Sequence, residues 1–417
     1  MIVNDQQQYE QYHIYPTHGL LNDPNGLVYF KGQYHVFYQW NPHATNHKYK
    51  VWAHVVSDDL RNWERLPIAL EPSLAEDQGG VYSGTALVVA EKLYLFYTGN
   101  VRNDAGESIA SYQMAAVSDD GIHFEKLGKL FDQPAGYTRH VRDPKILHVD
   151  KMYYLLLGAQ RQDLTGDIII YSSPNLKDWQ FRGSLLDEQL PAFRGYMIEC
   201  PDLLFIDNQA VLAFSPQGLA ADGNHLQNIY NTGYVLGGFD AENAKFKVHG
   251  AFQEFDNGFE FYAAQSLTHH ARTLLWGWAG IMPPEREQTL PTIGQGWAHV
   301  LSLPRDLTIQ DRRLHQNPLP EMGIFKLVNT TNEISGPGLW ELPATADKWL
   351  LNLTSTFQIE RQADCLTMRR RQWESGIWET RIIEGDLASI KLVIDTDIVE
   401  IYAGKGAFVM TARYFNN

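Results

Sequence analysis

Side chains able to do acid–base chemistry recur along this chain at a near-constant interval. Asp23 stands in Asn22-Asp-Pro-Asn-Gly26, Ser83 in Tyr82-Ser-Gly84, and Asp143 in Arg142-Asp-Pro144. Glu199 stands in Glu199-Cys-Pro201 and Glu260 in Gly258-Phe-Glu-Phe-Tyr262. The steps between them are 60, 60, 56 and 61 residues. Asp23, Asp143 and Glu199 are read as the acids of one site. Two carboxyls flanking an acetal-type bond are the equipment of glycoside hydrolysis. The general acid must hold a proton, and a nearby anionic carboxylate raises its pKa. A lone Asp before Pro is often only a turn former, so recurrence in phase is what singles these residues out. Tyr82, Tyr262, Trp276 and Trp278 add flat rings of the kind that stack on sugars.

The elements that position these residues follow from the same period. Five units of about sixty residues, each with about four short strands, predict a five-bladed β-propeller. A second repeat supports this: Ser57-Asp-Asp-Leu-Arg-Asn-Trp63, Ser118-Asp-Asp-Gly-Ile-His-Phe124 and a looser copy over 172–179. Strand-like runs such as Tyr34-His-Val-Phe-Tyr38, Leu93-Tyr-Leu-Phe-Tyr97 and Met152-Tyr-Tyr-Leu-Leu-Leu157 follow turns at Lys31-Gly32, Glu91-Lys92 and Asp150-Lys151. No long amphipathic helix is read before residue 300, which argues against a (β/α)₈ barrel. In a propeller the innermost strands line a central channel, so matching positions on them converge on one funnel. Residues 1–310 are expected to form this domain, 311–324 a linker, and 325–417 a small C-terminal β-sandwich. The fold class is therefore all-β.

Composition narrows the partners. The 417 residues carry 34 Lys+Arg against 49 Asp+Glu, a formal net charge of −15. That balance excludes nucleic acid and anionic lipid as main partners, because both need a basic surface. Two cysteines, Cys200 and Cys365, are too few for a disulfide framework. The first residues lack the basic-then-apolar order of a signal peptide, and no apolar run reaches about 18 residues, so a cytoplasmic protein without a membrane span is expected. The sequons at Asn329 and Asn352 then read as chance matches. His43 with His47, and His269 with His270, lack a third clustered ligand, so no metal is expected, and hydrolysis needs no cofactor.

The Asn22-Asp-Pro-Asn-Gly26 motif, with Gln39-Trp-Asn-Pro42 and Trp52-Ala-His54, resembles the N-terminal signature of glycoside hydrolase family 32. Arg142-Asp-Pro144 and Glu199-Cys-Pro-Asp202 resemble its two other acidic motifs. Phe96-Tyr-Thr-Gly99, Tyr82-Ser-Gly84, Phe261-Tyr-Ala263 and Trp276-Gly-Trp278 match further blocks. This is the family of invertases, levanases, inulinases and sucrose-6-phosphate hydrolases. The resemblance covers about residues 10–310, and it implies a five-bladed propeller followed by a β-sandwich.

It also implies roles. Asp23 would be the nucleophile, Glu199 the acid/base, and Asp143 a transition-state stabiliser that holds fructose hydroxyls. Asn22, Gln39, Trp52, Tyr82, Ser83, Arg142, Tyr262 and Trp278 would bind substrate, and Cys200 would tune its neighbour. The implied activity is retaining hydrolysis of a terminal β-D-fructofuranosyl bond, with carboxyls of Asp23 and Glu199 about 5–5.5 Å apart. The sequence departs from the family at Leu20, His47 and Glu260, and its C-terminal domain is short. Ser215-Pro-Gln-Gly-Leu219, Asn228 and Gly233-Tyr234 resemble the sucrose-6-phosphate hydrolase branch. Lys50, His47 and Arg102 are candidates for a phosphate, although a single basic residue is usually surface. Fructosyl transfer, an inverting arabinan or xylan hydrolase, and a non-catalytic sugar-binding propeller are the competing functions.

Overall fold

The computed structural model describes residues 9–343 and 345–415. The chain is all-β. Through residue 318 it forms five successive antiparallel sheets. Their first strands are Gly19–Phe30, Gly80–Val89, Tyr137–Val149, Met197–Ile206 and Tyr262–His269. Each first strand packs against the first strand of the next sheet, and Tyr262–His269 packs back against Gly19–Phe30, which closes a ring. A two-residue strand, Trp297–Ala298, also pairs in parallel with Gly19 and Leu20.

Local chemistry explains the strand spacing. The first hairpin of each sheet is a two-residue turn, and in four of them both residues have positive φ: Lys31-Gly32, Ala90-Glu91, Asp207-Asn208 and His270-Ala271. Such turns match the twist of the flanking strands. The second turn therefore lies one residue earlier than the expected Glu91-Lys92, and Lys92 opens the next strand. The Ser-Asp-Asp repeat is the link between third and fourth strands. Asp59 Oδ1 accepts from the backbone N–H of Arg61 (2.9 Å) and Asn62 (2.7 Å), and Asp120 Oδ1 accepts from Ile122 (2.8 Å) and His123 (2.9 Å). Asn175 Oδ1 repeats the pattern with Lys177 and Asp178. A left-handed residue follows each: Leu60, Gly121 and Leu176.

Two further sheets follow. One has strands Lys326–Leu327, Gly338–Leu342, Ile390–Ile394, Ile398–Ala403 and Phe408–Arg413. The other has Lys348–Thr354, Phe357–Gln362, Cys365–Arg371 and Trp378–Glu384. They share an apolar core that includes Phe357, Ile359, Leu392 and Ile401. Buried ion pairs fasten them to the earlier sheets. Arg305, fully buried, reaches Asp256 and Glu400 at 2.9 Å each and Thr411 Oγ1 at 2.7 Å.

One expectation needs correction. The expected linker 311–324 is not a linker throughout: Arg313–Pro318 is the last strand of the fifth sheet, reached through a left-handed turn at Asp311 and Arg312. Glu260 keeps the sixty-residue phase but joins no acid cluster. It is buried against Arg370, 2.7 Å away, at the contact with the C-terminal sheets. No helix among the described residues is long and apolar enough to cross a membrane.

Candidate active site

The first strands of the first four sheets break their pairing at or beside the landmark residue, and that of the fifth breaks it just past Glu260, which precedes the strand. The register shifts between Leu21 and Pro24, between Tyr82 and Gly84, between Glu199 and Asp202, and between Tyr262 and Gln265. On the third strand it shifts opposite Leu156 and Gly158, where Asp143 and Pro144 lie. A β-bulge re-aims one side chain and leaves a residue unpaired. Pro24, Pro144 and Pro201, which have no N–H to give a ladder, are tolerated at such points. Asp143 (φ 62°), Cys200 (φ 46°) and Ala263 (φ 52°) adopt left-handed backbone there, a conformation that costs non-glycine residues about 1–2 kcal/mol and must be held by its surroundings.

The bulges gather the acids around a cavity of about 450 Å³. Asp23 Oδ2 accepts from Ser83 Oγ at 2.6 Å, and Asp23 Oδ1 from Asn22 Nδ2 at 3.1 Å. Asp143 Oδ2 accepts from the Cys200 backbone N–H at 3.1 Å. The Cys200 thiol lies 3.6 Å from Asp143 Oδ2 and 3.9 Å from Asp23 Oδ2. Glu199 Oε1 receives Arg142 Nε at 2.8 Å, while Oε2 receives Tyr262 Oη at 2.7 Å and Gln217 Nε2 at 2.6 Å.

These contacts sort the charges. Burial, then the Glu199 carboxylate, push Asp143 up to about 7 against the pull of Arg142. Burial also works against an ionised Glu199. The Arg142 guanidinium, with the hydrogen bonds from Tyr262 and Gln217, outweighs it and holds that carboxyl below its usual value. In this arrangement Asp143 takes up a proton more readily than Glu199 does. Burial, with Asp143 and Asp23 beside it, pushes the Cys200 thiol well up, so it stays neutral.

All of the residues expected from the sequence to bind or react line this cavity except Trp52; Trp276, offered as a sugar-stacking ring, is also fully buried away from it. Trp52 is fully buried between the first two sheets, beside Phe37, Val81 and Tyr97. Its indole N–H donates to the Tyr82 carbonyl at 2.9 Å, so it supports the wall rather than forming it. Lys50, His47 and Arg102 are not separate surface residues; all three line the cavity. Burial drives Lys50 down to about 8. Arg102 Nη2 donates to Tyr82 Oη at 2.6 Å. Reasoning from sequence does not reach Gln217 or Glu287. The register Glu199↔Ser215 would place Gln217 beside the acid, but Glu287 comes from a distant excursion between strands of the fifth sheet.

Two groups of potential metal donors gather among the described residues. His47 Nε2 and His299 Nε2 each lie 2.9 Å from Glu287 Oε1. Lys50 Nζ stands 2.9 Å from His47 Nδ1. An ammonium only donates, so Nδ1 accepts and Nε2 carries the hydrogen that Glu287 receives. His47 thus presents an N–H rather than a lone pair. In the second group, Glu10, His13 and Asp395, His13 lies 2.8 Å from Asp395, and its other ring nitrogen is 3.1 Å from Glu400 outside the group. Burial opposes its charge, but the hydrogen bonds to these carboxylates prevail and push it up to about 9, so His13 is itself the cation. Neither donor set fits a metal in this form.

A ring of β-sheets that brings four carboxyl groups, two guanidinium groups and several aromatic rings into one cavity, with Asp23, Asp143 and Glu199 gathered together, defines a carbohydrate-cleaving hydrolase. Comparison with known proteins gives the particular family. The family model described as "Glycosyl hydrolases family 32 N-terminal domain" matches residues 13–318. The sucrose-6-phosphate hydrolase of Bacillus subtilis (strain 168) is 39% identical, over 99% of this chain and 90% of that protein. The structure of sucrose-6-phosphate hydrolase from Lactobacillus gasseri superposes with a TM-score of 0.84 at 31% identity, covering 99% of this chain and 89% of that one. A mutant of the Bombyx mori β-fructofuranosidase BmSUC1 in complex with sucrose gives 0.81 at 30% identity, covering 98% and 89%. The chain belongs to glycosyl hydrolase family 32.

Proposed function

We propose that the protein hydrolyses the terminal non-reducing β-D-fructofuranosyl bond of sucrose, sucrose 6-phosphate or short fructo-oligosaccharides by double displacement. The observation that carries this is the cavity in which Asp23, Asp143 and Glu199 meet, joined through Ser83, Cys200 and Arg142. Asp23 attacks the anomeric carbon of fructose as the bond to the leaving oxygen breaks, and Glu199 gives that oxygen its proton. Water then attacks the fructosyl ester, Glu199 takes a proton from it, and Asp23 is released. Fructose hydroxyls donating to Asp143 favour its ionised form, which frees a proton for Glu199.

In this reading the five sheets are blades of a five-bladed β-propeller and the last two form a β-sandwich. The closed ring of first strands supports it. The catalytic domain then runs to about residue 318, where the family match also ends. Lys50, Arg102 and Arg142 give the cavity the cations an anionic sugar would need. The unpaired Cys200 and Cys365 suit a reducing, cytoplasmic setting.

The test is kcat/KM on sucrose, sucrose 6-phosphate, 1-kestose and levan, with the first fructose followed by NMR. Release of β-fructofuranose and a preference for the phosphorylated disaccharide are expected. An inverted first product would overturn the double displacement, and equal rates on the two disaccharides would overturn the phosphate preference.

A further inference from the structure

The cavity wall contains a chain of hydrogen bonds whose direction is fixed throughout. It starts in the C-terminal sheets. Arg286, in the short helix Pro284–Glu287, donates to Glu374 Oε1 at 2.8 Å and to Glu379 Oε1 at 2.9 Å. The Trp373 indole N–H donates back to the Arg286 carbonyl at 3.1 Å. The neighbouring residue, Glu287, turns into the cavity and accepts from His47 and His299, at 2.9 Å each. His47 Nδ1 accepts from Lys50, and Lys50 donates to Asn22 Oδ1. That contact fixes the Asn22 amide with its nitrogen toward Asp23, where Nδ2 donates to Oδ1 at 3.1 Å.

Each link constrains the next. Lys50 is 6% exposed. A buried ammonium is costly unless hydrogen-bonded acceptors surround it, and here Asn22 Oδ1 and His47 Nδ1 accept from it. Without His47 as acceptor, the ammonium would be drawn toward other oxygens, and Asn22 would be free to turn its amide. The Asp23 carboxylate, restrained on its other oxygen by the Ser83 hydroxyl, would then lose its orientation.

We propose that His47 and Glu287 are positioning residues that fix Lys50 and, through Asn22, aim the Asp23 carboxylate, so that the grip of Glu374 and Glu379 on Arg286 is part of the active-site geometry. The proposal rests on the reading of Asp23 as nucleophile.

Four variants of the full chain test it on sucrose, with thermal melting to confirm folding. His47→Leu, which removes the acceptor, is expected to lower kcat by about 10–100-fold, since misplacing a reacting group by about 1 Å costs that much, with KM changed by less than about threefold. His47→Asn places an amide oxygen near the position of Nδ1 and is expected to recover most of that loss. Arg286→Met keeps the packing on Trp373 without the ion pairs and is expected to lower kcat by about 3–10-fold, again with little change in KM. Wild-type kcat in a folded His47→Leu, or a loss confined to KM, would overturn the proposal; so would a His47→Asn variant as slow as His47→Leu. Wild-type kcat in Arg286→Met would overturn the part played by the C-terminal sheets. Asp23→Ala is the separate control: full activity there would sink the nucleophile assignment itself.

Discussion

Arg142 holds a single oxygen of Glu199 with two guanidinium nitrogens, Nε at 2.8 Å and Nη2 at 2.7 Å. The other oxygen is occupied by Tyr262 and Gln217. Each of these partners donates, so the site favours the ionised form of the carboxyl. That suits the second half of a double displacement, in which the residue must take a proton from water. In the proposed reaction the first half needs the opposite state, which substrate would supply by shifting a proton from Asp143 to Glu199. The two residues are best regarded as one acid pair whose proton is placed by what fills the cavity.

Removing Arg142 tests this relationship. Arg142→Met deletes the main influence that lowers the Glu199 pKa, so the carboxyl stays protonated to higher pH. The alkaline limb of kcat/KM, which reports the free enzyme's acid, is expected to move upward, with a loss at the optimum on the order of 10²-fold. A pH–rate profile from about pH 4 to 9 decides; an unmoved limb would show that Arg142 does not set the ionisation of Glu199.

Asp143 makes an opposite prediction for stability. Its folded pKa, about 7, lies above its ordinary value of 3.8. The folded protein thus binds the proton more tightly than the unfolded chain. Asp143 weakens the fold progressively as pH rises from about 4 to 7, and fully above that. Asp143→Asn keeps the shape without the charge. It is expected to be inactive yet more stable than wild type at about pH 8, by up to about 4 kcal/mol if the whole difference is realised, since each tenfold change in proton affinity is worth about 1.4 kcal/mol. Near the ordinary pKa the difference should vanish. Thermal or urea melts at both pH values measure it, and equal stabilities on the alkaline side would refute it.

Lys50 provides a third test. Burial lowers it to about 8, against the attraction of Asp23 and Glu287. Below that pH it is an ammonium and can donate to both Asn22 and His47; above it, the charge is lost. His47, Glu287, Asn22, Asp23, Arg102 and Glu199 are the polar and charged groups that face it. Lys50→Met lacks the charge at every pH. The ratio of wild-type to mutant kcat/KM is therefore expected to be large at about pH 6–7 and to fall as pH passes about 8. A ratio constant to about pH 9.5 would show that the ammonium is not what Lys50 contributes.

The acids are legible in the sequence because the same local device, a bulge at the start of an inner strand, repeats with the period of the sheets. Asp23, Asp143 and Glu199 each precede or closely flank a proline that such a bulge tolerates. Trp52 is not legible in the same way, because a tryptophan beside a signature motif looks alike whether it faces substrate or fills the space between two sheets. Glu287 escapes for another reason: it meets His47 from 240 positions away, and no periodicity links them. The strand Arg313–Pro318 resembles a linker because its turn, Asp311-Arg312, adopts left-handed backbone without glycine or asparagine, and its end runs into Pro318 and Pro320.

The junction between the early sheets and the C-terminal pair is open to a test of its own. Arg305 is fully buried, its charge is balanced by Asp256 and Glu400, and its guanidinium lies 4.1 Å over the Phe261 ring. Arg305→Met preserves much of the volume but leaves buried Asp256 without its cation and Glu400 with only His13 as a charged partner. Breaking a buried pair from one side costs about 3–5 kcal/mol, because the remaining charge is uncompensated. A loss of stability of that size is expected at about pH 7, and it should shrink at about pH 5 as the orphaned Asp256 takes up a proton. Phe261 adjoins Tyr262, which donates to Glu199, so activity should fall before the protein unfolds. A variant with an unchanged unfolding midpoint at neutral pH would mean that the Arg305 ion pairs do not help to hold the two groups of sheets together.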